Sequence, residues 1–82
     1  MAELLVIDDD VSLLELLCVH LRAAGHVVRA APDAAEGIRA ILAEPPELIL
    51  SDISMPYLDG LELLRLLRSD PLTKHIPVIF LT

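Results

Sequence analysis

Four short apolar runs recur along the chain, separated by stretches whose apolar residues repeat at helical spacing. Leu4–Ile7 (LLVI) has the length and continuity of a buried strand. A helix follows, capped by Asp10 or Ser12 and running to about Ala24, where Gly25 supplies a stop. His26–Ala31 (HVVRAA) reads as a second, less buried strand. Asp33, with Glu36 three residues on, has the form of an N-cap and capping box. Ile38, Ile41 and Leu42 then make one apolar face until Pro45-Pro46 ends that helix. Leu48–Ser51 (LILS) is a third strand, Leu61–Ser69 (LELLRLLRS) a third helix, and Ile76–Thr82 (IPVIFLT) a fourth strand.

The resulting order, βαβαβαβ, predicts an α/β fold with a parallel sheet and helices on its faces, because parallel strands need long crossovers. The strand interiors are near-continuous apolar runs, as a sheet covered on both faces requires. Right-handed crossovers then bring the carboxyl ends of all strands to one edge, where open α/β sheets bind their ligands. The first strand delivers Asp8-Asp9-Asp10 to that edge, the third delivers Asp52 and the fourth delivers Thr82. A strand-end aspartate often does no more than cap the next helix, which suits Asp10. Asp52 is followed by Ile53-Ser54-Met55-Pro56 rather than by a helix start, so capping does not account for it.

Three carboxylates meeting at Asp8, Asp9 and Asp52 repel one another. At about 5 Å and an effective dielectric near 20, each pair costs on the order of 3 kcal/mol. A hard divalent cation offsets that cost, and all-oxygen ligation with room for phosphate favours Mg2+. Protonation of one carboxylate is the competing answer. With a cation in place, a neighbouring carboxylate can attack phosphorus and form an acyl phosphate. The Thr82 hydroxyl would donate to a phosphoryl oxygen; an ordinary strand threonine is the plainer alternative.

Composition narrows the classes. The chain has 82 residues, room for one small domain, and is 55% hydrophobic, which argues against disorder. A net charge of −7 opposes direct contact with nucleic acid, and with only Tyr57 and Phe80 as aromatics a base-stacking surface is not expected. The single cysteine, Cys18, lies among leucines and reads as core. His20, His26 and His75 lack metal-ligand spacing, and Arg65 and Arg68 fall on the polar side of their helix. No stretch reads as a signal peptide or membrane span, so a soluble cytoplasmic domain is expected.

The combination VIDDD, LILSDISMPYLDG and VIFLT resembles the receiver domain of two-component response regulators, in the family's order and spacing and over the whole chain. The resemblance implies a flavodoxin-like parallel sheet. It makes Asp52 the phosphoacceptor, with Mg2+ held by Asp9, Asp52 and the backbone carbonyl of Ser54, and by Asp8 mainly through a metal-bound water. Thr82 becomes the switch hydroxyl. Met55-Pro56 and Asp59-Gly60 match the family's loop after the acceptor strand, with Tyr57 at its entrance. The implied donor is a sensor histidine kinase or phosphotransfer protein. The implied catalysis is limited to the domain's own phosphorylation and dephosphorylation.

The chain departs from that pattern after its fourth strand. The family's fourth helix, fifth strand and fifth helix have no counterpart within the 82 residues, nor has its lysine at the end of strand five. Lys74 is the one lysine and reads as a solvated loop charge. Leu13, Leu14, Leu16, Leu17, Cys18, Leu21 and Ala24 span more than half of the first helix, wider than sheet contact alone uses. The resemblance sets this helix beside the missing fifth helix, so a bare flank and an open edge at the fourth strand are expected, and with them self-association. Two alternatives stand beside the phosphoacceptor. Asp8-x-Asp10-x-Ser12 loosely fits a haloacid dehalogenase-like phosphohydrolase, with Asp8 as nucleophile and Asp10 as acid/base. An interaction-only receiver, folded but not switched, is the other.

Overall fold

A computed structural model of the chain describes residues 1–81 and contains a four-stranded parallel sheet with three helices. The elements are β1 (Glu3–Ile7), α1 (Val11–Ala23), β2 (Val27–Ala31), α2 (Ala34–Ala43), β3 (Leu48–Asp52), α3 (Gly60–Ser69) and β4 (Val78–Leu81). Their sheet order is β2-β1-β3-β4. The chain steps one way from β1 to β2 and the other way thereafter. With crossovers of one hand, α1 must lie on one face, and α2 and α3 on the other.

The two cores confirm that division. Leu5, Ile7, Ile49 and Val78 point to the face where Ile41, Leu63 and Leu67 of α2 and α3 meet them. Leu4, Val6, Leu48, Leu50 and Leu81 alternate to the other face, against Leu14, Cys18 and Leu21 of α1. Cys18 is buried and free, as its leucine-rich setting predicts.

Each helix begins on an aspartate whose carboxylate accepts an N–H of the first turn. Asp10 accepts from Leu13 at 3.1 Å, Asp33 from Glu36 at 2.8 Å and Asp59 from Glu62 at 2.9 Å. Asp10 rather than Ser12 is thus the first cap, and α3 starts one residue before the predicted Leu61. Asp33 caps as expected, but Glu36 pairs with Arg39 on the next turn. Two strands, β2 and β4, also begin later than their apolar runs. His26 lies before β2, where its Nδ1 accepts the Ala2 N–H, and Ile76 closes a turn onto Thr73. Pro77 has no N–H to give, and β4 opens only at Val78. Thr82 lies outside the described residues. Among the described residues, no helix is long and apolar enough to cross a membrane.

Candidate functional site

The register of the central strands builds the site. Ile7 pairs with Ser51 across β1 and β3, so Asp8, just past the end of β1, and Asp52, the last residue of β3, stand side by side. This is also where the order of strands reverses, the crevice in which doubly wound sheets hold ligands. One carboxylate oxygen from each of Asp8, Asp9 and Asp52 lies within 4.8 Å of the others. Asp8 is buried, Asp52 half-buried and Asp9 exposed, so the cluster opens to solvent on one side.

The carboxylates are oriented by the backbone around them. Asp8 Oδ1 accepts the Asp10 N–H at 2.9 Å, and Asp52 Oδ1 accepts the Ser54 N–H at 3.3 Å. Burial pushes the Asp8 carboxyl above its ordinary range. The charges of Asp52, Asp9 and Asp10 push the same way, against the Asp10 N–H, which lowers it. A buried acid beside further carboxylates is the setting a divalent cation relieves. The donor set is all oxygen, which fits Mg2+ or another hard ion. Among the described residues no buried side-chain polar atom lacks a partner, so the aspartates carry the unbalanced charge rather than an unmet hydrogen bond.

Of the residues marked in the sequence, Asp8, Asp9 and Asp52 converge, and the Ser54 amide touches Asp52. Asp10 stands apart from the other aspartates in purpose. Its carboxylate caps α1, so the acid/base that the phosphohydrolase alternative requires is engaged elsewhere. The buried position of Asp8 also suits a nucleophile less well than the half-buried Asp52 does.

Two features of the loop after β3 escape the hydrophobic pattern. Leu58 N–H bonds to Pro56 O at 2.8 Å around Tyr57, whose φ is +69°. This is the γ-turn of the strained hand, carried by a fully exposed tyrosine. Gly60 then packs its α-carbon against the end of β3, where a side chain would meet the Asp52 carbonyl at 2.6 Å. Only the Asp-Gly pair hinted at either.

Comparison with known proteins places this geometry. Residues 4–82 match the family model of the response regulator receiver domain. The chain is 39% identical over 80 residues to an uncharacterized 14.6 kDa protein of Leptolyngbya boryana, covering 98% of the chain and 61% of that protein. It is 37% identical over 82 residues to the DNA-binding dual master transcriptional regulator RpaA of Synechocystis, covering 100% of the chain and 34% of that protein. The chain thus spans less than two thirds of either relative. Among solved structures, the N-terminal domain of a response regulator receiver protein from Methanoculleus marisnigri superposes with a TM-score of 0.96 at 35% identity, covering 100% of this chain and 67% of that one. With a matching family model across nearly its whole length and the same sheet underneath, the chain belongs to the response regulator receiver domains of two-component systems.

Proposed function

We propose that this receiver domain accepts a phosphoryl group on Asp52 from the phosphohistidine of a sensor kinase or phosphotransfer protein. The observation that carries the reading is the meeting of the Asp8, Asp9 and Asp52 carboxylates within 4.8 Å at the carboxyl edge. An Asp52 oxygen attacks phosphorus, the P–N bond of the donor breaks, and its electron pair returns to the imidazole nitrogen. The Ser54 N–H engages Oδ1 of Asp52 and leaves Oδ2 as the freer nucleophile. Mg2+, when bound, supplies the positive charge that lets carboxylates and a phosphoryl group share this space. Asp8, Asp9, Asp52 and the Ser54 carbonyl would hold it. Thr82 would donate its hydroxyl to a phosphoryl oxygen once Asp52 is modified. The reading includes self-association through the apolar surface over β3 and β4, supported by the 52% exposure of Ile79.

Labelling tests the assignment. Incubation with acetyl phosphate and Mg2+ should yield one acid-stable, base-labile acyl phosphate, lost in Asp52→Asn and retained on Asp52 when Cys18 or Asp10 is changed. Phosphate recovered on Asp8 would transfer the reading to the phosphohydrolase class.

A further inference from the structure

Two glycines sit where helices press on the strands that carry the acidic cluster. Gly37 of α2 lies over Ile7, the residue before Asp8. A Cβ there would meet Ile7 Cδ1 at 2.6 Å and Cγ1 at 3.1 Å. The nearer of these, Cδ1, ends the Ile7 side chain and can turn away about χ2 with the β1 backbone unmoved, while Cγ1 has to give only by a few tenths of an ångström. Gly60, the first residue of α3, meets something less yielding. Its Cβ would stand 2.6 Å from the Asp52 carbonyl oxygen, 2.8 Å from Phe80 Cε1 and 3.1 Å from Ile53 Cα. The Phe80 ring is only half-buried and can swing aside; the Asp52 and Ile53 backbone cannot.

Both sides of that contact are held. The Ser51 hydroxyl donates to the same Asp52 carbonyl at 2.9 Å, and Asp52 pairs with Leu81 at the end of the ladder. On the helix side, Gly60 N–H donates to Ile53 O at 2.8 Å, while Leu63 and Leu67 are buried in the core beneath. An added methyl therefore has to be absorbed by rotation of the Asp52–Ile53 peptide between the two anchors. That peptide leads directly to the Ser54 amide that holds Asp52 Oδ1.

From this geometry we infer that Gly60 is a positioning residue for Asp52, its bare α-carbon keeping the carboxylate at ligating distance from Asp8 and Asp9. The inference rests on the phosphoacceptor reading above. Mg2+ tolerates little departure from octahedral geometry at about 2.1 Å, so displacements of a fraction of an ångström matter. Groups that orient metal ligands are typically worth about ten- to a hundredfold in metal affinity.

The test is a Mg2+ titration of the whole chain followed by amide NMR shifts, alongside thermal unfolding, for the unaltered protein, Gly60→Ala and Gly37→Ala. Gly60→Ala should bind Mg2+ about tenfold more weakly or worse. Gly37→Ala, whose obstacle can move, should stay close to the unaltered protein. Equal affinity in Gly60→Ala overturns the inference and leaves the phosphoacceptor reading standing. Equal weakening in both variants also overturns it, because the effect would then be general loosening. An unaltered protein that takes up no Mg2+ sinks both readings together. If Gly60→Ala does not fold, the unaltered protein decides: the Gly60 amide should shift with the same midpoint as Asp52 while Gly25 stays still, and an unmoved Gly60 refutes the coupling.

Discussion

The two faces of the sheet are built from equally apolar strands and end up differently finished. Under α2 and α3, Leu5, Ile7, Ile49 and Leu63 are wholly buried, and Met55 and Ile76 close the ends of that layer from the loops. Under α1, burial is complete only over β1; on β2, Val28 is buried but Ala30 is exposed. Leu48, Leu50 and Leu81 are half-covered, Ile79 is 52% exposed, and Leu16 and Val19 of α1 face solvent. One helix cannot span four strands. The lesson is that strand composition sets how much surface asks to be buried, while the number of crossovers on each side sets how much is.

The sharpest break of this comparison is a pair of truncations. Leu63→Ala, in the closed layer, should cost about 3 kcal/mol, and Leu50→Ala, in the open one, about 1 kcal/mol, read from urea unfolding. Against roughly 4–12 kcal/mol of total stability for a chain of this size, the first approaches loss of the fold. Equal costs would mean that the open layer is covered in solution.

The rim where the layers meet is strained by charge rather than by packing. The Asp8 carboxyl is raised, so the folded state holds its proton more tightly than the unfolded chain does. Stability is therefore unpenalised below the ordinary value of 3.8, falls as pH climbs from there through the folded value, and carries the full penalty at neutral pH. Asp8→Asn should gain stability at pH 7 without divalent cations, flatten that limb of the pH profile and weaken Mg2+ binding. Unchanged stability would place the strain elsewhere.

A smaller gain is expected at the loop. Tyr57→Gly relieves the positive-φ backbone and removes no buried contact, so the stability read from urea unfolding should rise by about 0.5–1 kcal/mol. Smallest of all is Ile79→Lys on the open layer. Its stability should shift by less than about 0.5 kcal/mol, while sedimentation should show a smaller associated fraction. Association unchanged by that charge would argue against the open layer as the contact.

Much of this was legible beforehand, for reasons that differ by residue. The apolar period and the Asp33 cap are local, and the structure places them within a residue or two of expectation. The convergence of Asp8, Asp9 and Asp52 followed from the parallel alternation, which sends every strand's carboxyl end one way. The side-by-side placement of Asp8 and Asp52 depends on β1 lying next to β3, a choice of sheet order that neither strand encodes alone. The split between Asp10 and Asp8 turns on one hydrogen bond to Leu13, which no spacing rule distinguishes from a ligand. Gly60 was visible only as half of a turn pair, because what it excludes belongs to a strand eight residues earlier.

Parallel topology also places the chain's one lysine. Lys74 lies in the connection before β4, at the amino end of that strand. Dyes, cross-linkers or biosensor surfaces coupled through Lys74 therefore attach at the rim opposite the acidic cluster, so a sample immobilised there presents that cluster outward, free for titration with ions or partner proteins.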